Sequence, residues 1–216
     1  MSIIKKTVIA FLVIFLGILF AVNANATGNI KLGGTFVNDT DSTFNASWDQ
    51  KWETFNVSVD YTYKESDNVV KLDKFNTVGK YNYKFSEELY AFAITSYDTD
   101  KFRSSGDRTV VGSGVGYNWY STEKFKLSTE SSVALLTNDF VDEAIFRQNI
   151  TTSYKLFDKL EVSNKLLFES GTETYLKSET DVTYLIGTNL TVGLRNRYTE
   201  DPVSNNVLSF NVGYKY

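Results

Sequence analysis

Apolar and polar residues alternate along most of this chain after residue 26. In "NVLSFNVGYKY", Asn206 to Tyr216, the side chains of Leu208, Phe210, Val212, Tyr214 and Tyr216 fall on one face of a strand, and Ser209, Asn211, Gly213 and Lys215 on the other. The same period of two recurs in twelve segments: 28–38, 42–51, 54–64, 72–84, 88–98, 108–119, 124–136, 143–156, 159–170, 173–186, 189–199 and 205–216. No helical stripe interrupts them. Most run ten to fourteen residues, where strands of soluble domains average ~5–6. About ten residues at a tilt near 40° cover roughly 25 Å, the height of an outer-membrane apolar band.

The pattern therefore predicts an all-β fold: a transmembrane antiparallel up-and-down β-barrel over residues 27–216, of about twelve strands, or ten or fourteen if a hairpin is split or merged. Tight links such as "FSEE", "YSTEK" and "FDK" alternate with longer polar stretches such as "ESDNVVKL", "DTDKFRSSGD", "TNDFVD" and "EDPVSN". That alternation predicts short periplasmic turns and long outer loops. An even strand number puts both ends of the barrel on the periplasmic side and lets the first strand pair with the last, so no edge meets lipid. The alternating aromatic C-terminus, with Phe210, Tyr214 and Tyr216, reads as the signal recognised by outer-membrane assembly machinery.

The beginning of the chain has a different texture. Lys5 and Lys6 precede an apolar run from Thr7 to Val22, and Ala24-Asn25-Ala26 fits a small-x-small cleavage site, so residues 1–26 are expected to be a signal peptide. The alternative is an uncleaved anchor, against which stands a run shorter than the ~20 residues a spanning helix needs. Export to a Gram-negative outer membrane follows from the leader and the strands together.

Composition narrows the chemistry. The chain has 14 Tyr and 16 Phe but one Pro, no Cys and no His. Disulfides, thiol nucleophiles, His-based triads and His metal sites are thereby excluded. Glu179 and Asp181 alternate on one face, but any barrel interior holds such pairs, so no enzyme and no cofactor are expected. Basic and aromatic residues occupy opposite faces, which leaves no stacking platform for nucleic acid.

With the C-terminal apolar set taken as outward, the outward face carries Phe55, Val57, Val59, Val111, Val115, Val133, Leu135, Phe146 and Tyr184 and almost no charge. Aromatics such as Tyr63, Tyr83, Tyr117, Trp119, Tyr154, Tyr198 and Tyr216 gather toward strand ends, where an interfacial girdle sits. The inward face holds fifteen basic and seven acidic residues, although the whole chain is formally −4. A basic lumen attracts anions, and the candidates are Arg195, Arg197, Arg147, Arg108, Lys126, Lys165 and Lys177. Arg195 and Arg197 are foremost because guanidinium forks hold carboxylates bidentately, with neutralisation by Glu179 or Asp181 as the competing reading. Gly112, Gly114 and Gly116 line one strand face, making room in the lumen or letting the strand bend. Asp98, Asp100, Asp107, Asp139 and Asp142 are outer-loop acids that either bind divalent ions bridging lipopolysaccharide or are solvated.

The stretch from Gly79 to Leu135 contains "SEELYAF", a "YDTDKF" loop, "DR", a strand ending in "GVGYNW", and "STEKFKLSTE". These motifs, with "LFDKLEVSNKLLFESG" and the "SETDVTYLIGTNLTVGLRNRYTEDP" stretch, resemble the salt-induced outer-membrane protein family, a β-barrel domain of unknown function. The likeness covers most of residues 55–216. It implies the outer-membrane barrel fold and a role in salt or osmotic adaptation, and no catalytic signature. Two functional readings stay open: a narrow passive channel with weak anion preference, and a closed barrel with a structural or surface-binding role through acidic loops. Expected partners are outer-membrane lipids and lipopolysaccharide, the assembly machinery and small anionic solutes.

Overall fold

The computed structural model describes residues 27–38, 41–66, 69–100, 106–201 and 203–216, with backbone alone at 35–38, 41–42, 66, 100, 201, 203 and 205. The leader expected over 1–26 lies outside the described residues.

Twelve strands follow in chain order: β1 (Thr27–Asn38), β2 (Asp41–Lys51), β3 (Phe55–Ser66), β4 (Val69–Lys84), β5 (Leu89–Asp100), β6 (Arg108–Ser121), β7 (Phe125–Thr137), β8 (Asp142–Phe157), β9 (Leu160–Ser170), β10 (Thr174–Ile186), β11 (Leu190–Asp201) and β12 (Val203–Lys215). Each pairs antiparallel with its sequence neighbour, and β1 pairs with β12 to close the barrel. Closure gives every strand two partners, the condition for a sheet whose surroundings offer no hydrogen bonds. At the seam, Asn29–Gly34 of β1 register with Lys215–Phe210 of β12.

The faces divide as the alternation predicts. Val133 and Leu135 are each 65% exposed, whereas Ala134 between them is 3% exposed. Phe55, Val111, Val115, Phe146, Tyr184, Leu208, Phe210, Val212 and Tyr214 are likewise exposed on the outer wall. An apolar belt that encircles a molecule far exceeds the patches soluble monomers show, and lipid is the solvent that suits it. Inside, Val110, Ala134, Leu136 and Ile145 on β6, β7 and β8 form a small apolar cluster. Elsewhere the interior is mainly polar, with buried apolar side chains such as Leu72, Phe92 and Tyr175 among the charged ones.

We call the end where β1 begins and β12 ends the terminal rim, and the opposite end the far rim. Connections at the terminal rim are short: 52–54, 85–88, 122–124, 158–159 and 187–189. In the last of these Gly187 takes φ +66°, a left-handed conformation that side chains bearing a Cβ rarely adopt. The long far loops expected from polar composition are a correction. β3 and β4 register as far as Ser66 with Val69, and β11 and β12 as far as Asp201 with Val203. Of the far-rim intervals between strands, 101–107 is the longest in sequence. Polar residues continue the ladder in water as readily as they form loops, because the backbone bonds are the same there.

Far-rim tyrosines face outward beside acids. The Tyr63 hydroxyl donates to Glu65 (2.6 Å), Tyr97 to Asp107 (2.5 Å) and Tyr198 to Glu200 (3.2 Å). Rings against the apolar belt with hydroxyls on rim carboxylates are the arrangement a membrane–water boundary favours.

Candidate functional site: the charged lumen

Three groups of side chains cross the interior. The first is built on β10 and β11, where Glu179 lies opposite Arg197 and Asp181 opposite Arg195. Arg197 Nε sits 2.8 Å from Glu179 Oε2, and Arg195 Nε 2.9 Å from Asp181 Oδ1. Both guanidinium groups also face Asp60 of β3, at 3.3 Å from Arg197 Nη2 and 3.8 Å from Arg195 Nη1. Arg197 Nη1 donates to Thr62 Oγ1 (3.2 Å), and Lys31 Nζ of β1 lies 3.4 Å from Asp181 Oδ1. Three carboxylates and three cations thus form a neutral hub that ties β10 and β11 to β1 and β3 across the lumen. These arginines are neutralised, which is the competing reading that their spacing allowed.

The second group lies toward the far rim. Arg147 Nε donates to Glu169 Oε1 (2.7 Å), and Arg108 of β6 pairs with the other oxygen. Glu169 is only 2% exposed. The Arg108 guanidinium also stands 5.1 Å from the centroid of Tyr175, an inward ring of β10. Nearby, Lys74 Nζ lies 3.5 Å from Asp98 Oδ2.

The third group explains the glycine strip. Gly116 of β6 registers with Tyr90 of β5, and Gly114 with Phe92. A Cβ built on Gly116 would lie 2.2 Å from the Tyr90 ring, so the inward ring rests directly on the glycine backbone. In that position the Tyr90 hydroxyl donates to Glu130 Oε1 (2.5 Å), which also pairs with Lys80. Lys80 Nζ stands 4.4 Å from the Phe92 centroid. The space the glycines leave is taken by neighbouring side chains. Gly116→Val is expected to push Tyr90 off Glu130 and destabilise the barrel by about 2–3 kcal/mol; an unfolding midpoint equal to the parent's would contradict this packing.

Between these groups lies a cavity of about 320 Å³. Its wall includes Lys165 and Lys177, on the adjacent strands β9 and β10, where Glu179 registers with Lys165 and Leu167 with Lys177. Lys165 sits deep within the barrel, yet its side chain is exposed, because it opens into this space. Among the described residues neither ammonium has a carboxylate within ion-pair distance. Of the seven anion candidates, four arginines are therefore engaged by carboxylates, Lys126 is exposed at the terminal rim, and Lys165 and Lys177 face the cavity.

The acids proposed for divalent ions are dispersed. Asp98 is a correction: it is no loop residue but an inward residue of β5, 5% exposed, beside Lys74. Asp107 accepts from Tyr97, and Asp139 and Asp142 are exposed at the β7–β8 connection. The Asp100 side chain lies outside the described ones. Among the described residues no group of three or more acids is placed to hold a metal ion.

Phe210 and Tyr214 face outward, but Tyr216 does something its sequence position hides. Its ring crosses Gly28 of β1; Trp48 Nε1–H donates to its hydroxyl oxygen (2.9 Å), and the hydroxyl donates to Gln50 Oε1 (2.6 Å). The last residue thus reaches over the seam to β2.

Residues 24–216 match the family described as "Protein of unknown function, DUF481". The chain belongs to the DUF481 family. Among curated proteins, none matches it. This DUF481 barrel is similar in structure to the NanC porin, at TM-score 0.60 and 11% identity over 88% of this chain and 98% of that one. It is similar also to the KdgM porin, at TM-score 0.55 and 14% identity over 88% and 98%. A further KdgM porin structure, in complex with disordered oligogalacturonate, matches at TM-score 0.53 and 11% identity with the same coverage. At identities this low the likeness is one of fold, the closed barrel that this chain shares with those porins.

Proposed function

We propose that this DUF481 protein resides in a bacterial outer membrane and passes small polar solutes passively, with a weak preference for anions. One observation carries the reading: an interior cavity of about 320 Å³ whose lining ammonium groups, Lys165 and Lys177, have no ion-pair partner among the described residues. Unpaired charge in a passage with low-dielectric walls acts on solutes with little screening. The porin-type fold supports a channel in general. The role in salt or osmotic adaptation that the sequence resemblance implies belongs to the same reading, as do contacts of the far rim with lipopolysaccharide and recognition of the C-terminus by assembly machinery. The terminal rim faces the periplasm in this reading.

A specific observation favours a second reading, that of a closed structural barrel. The Asp60 hub and the Lys80–Glu130 and Arg108–Glu169 pairs each span three or more strands of the interior. Planar-bilayer recording separates the two. The channel reading expects a small conductance whose reversal potential under a KCl gradient lies on the anion side. The double change Lys165→Gln with Lys177→Gln is expected to bring the anion-to-cation permeability ratio down to about one. Absence of conductance would establish the closed barrel, and cation preference in the parent would overturn the anion reading.

A further inference from the structure

Five basic and five acidic side chains line the central cavity. Most cancel. Asp60, Glu179 and Asp181 are held by Arg195, Arg197 and Lys31; Glu130 is held by Lys80; and Arg147 is held by Glu169. The remainder is two ammonium groups, Lys165 and Lys177, and one carboxylate, Asp49, none with an ion-pair or hydrogen-bond partner among the described residues. They stand on different sides of the lumen. Lys165 and Lys177 are diagonal neighbours on β9 and β10, whereas Asp49 projects from β2, which β1, β12 and β11 separate from β10. Asp49 and Lys165 are the leading opposite charges to each other across this space but stand beyond ion-pair distance, so a solute that fits between them and bears the complementary charges supplies the close contacts each lacks.

We infer that the cavity is a binding site for a small zwitterion with two carboxylates and one ammonium group, an acidic amino acid being the simplest example. Its carboxylates engage Lys165 and Lys177, and its ammonium group engages Asp49. The volume suits a molecule of this size, and its net charge of −1 agrees with weak anion preference. The inference deepens the channel reading and rests on it only so far as solute must reach the cavity.

Titration calorimetry on the purified full-length barrel in detergent tests it, with glutamate as probe and glutarate, which lacks the amine, as comparison. Glutamate is expected to bind saturably and more tightly than glutarate. Asp49→Asn is expected to reduce that preference by about tenfold, the effect of one charge-assisted hydrogen bond. Lys165→Gln is expected to weaken both ligands while the barrel stays folded, as judged by its heat-modifiable migration. Equal binding of the two ligands, an unchanged preference in Asp49→Asn, or no saturable glutamate binding would each overturn the inference. A barrel that conducts without binding glutamate refutes the site and leaves the channel standing. One that binds glutamate without conducting refutes the channel and leaves the site.

Discussion

Arg197→Ala is expected to destabilise the barrel by about 3–5 kcal/mol, because it strands Glu179 and Asp60 in the interior with part of their counter-charge gone. Arg197 is the member of the hub that bonds both carboxylates at hydrogen-bond distance, 2.8 Å to Glu179 and 3.3 Å to Asp60. An exposed pair would behave differently, contributing about 0–1 kcal/mol. Guanidinium-induced unfolding in detergent therefore tests the enclosure of the hub as well as its bonding. A loss below about 1 kcal/mol would mean that water screens the hub as it screens a surface pair. Replacing both partners by Arg197→Met and Glu179→Leu should recover most of the loss, since an apolar pair leaves no uncompensated charge; Asp60 then keeps Arg195. In the channel reading the alanine variant also widens the passage, so single-channel conductance should rise where stability falls.

Tyr216→Phe carries the second large effect. The phenol hydroxyl accepts from Trp48 Nε1 and donates to Gln50 Oε1, and Gln50 is 1% exposed. Gln50 Nε2 already lacks a partner among the described residues, so loss of the hydroxyl leaves this buried amide with none. Two hydrogen bonds at about 1 kcal/mol each, plus the desolvation of a stranded amide, predict a loss of about 2–4 kcal/mol. The loss falls at the seam, where backbone bonds from Gly28 N to Tyr216 O (3.0 Å) and from Tyr216 N to Gly28 O (3.1 Å) end the ladder. The temperature at which the folded band converts to the unfolded band in semi-native electrophoresis should drop. Gly28→Ala should lower it too, since its Cβ would lie 2.3 Å from the Tyr216 ring. Equal conversion temperatures for Tyr216→Phe and the parent would show that the clasp contributes nothing, and a normal yield of folded barrel after deletion of Tyr216 would remove its assembly role.

The strand number and the division of faces were legible from the chain because a period of two is a local property: neighbours such as Phe210, on the outer wall, and Asn211, buried inside, reveal their opposite environments by composition alone. Legible too was the local partnership of Arg195 and Arg197 with Asp181 and Glu179, which sit on consecutive strands of one hairpin. Asp98 was misplaced because "DTDKFRSSGD" reads as one polar loop. In the structure β5 keeps its alternation through Asp98, and Lys74 of β4 offsets the cost of an inward carboxylate. The far loops were overestimated for the same reason, since polarity marks contact with water and says nothing about whether the backbone is still paired.

Contacts between distant strands left no trace in the sequence. Asp60 and Arg197 are 137 residues apart, and Tyr216 and Gln50 are 166 apart. Neither pairing follows from any periodicity, because each depends on how closure places non-neighbouring strands around the lumen. The glycine strip was readable as space but not as space for Tyr90, whose ring comes from the preceding strand in a register the sequence does not display.

By itself the amino-acid sequence determined the all-β class, the barrel of about twelve strands, the apolar exterior and the charged interior, because alternation and strand length are written residue by residue. Only the tertiary structure decided which charges cancel and which remain. Cancellation is a matter of a few ångströms across a lumen, and it turned a count of fifteen basic against seven acidic inward residues into a nearly balanced interior with Lys165, Lys177 and Asp49 left to face the cavity.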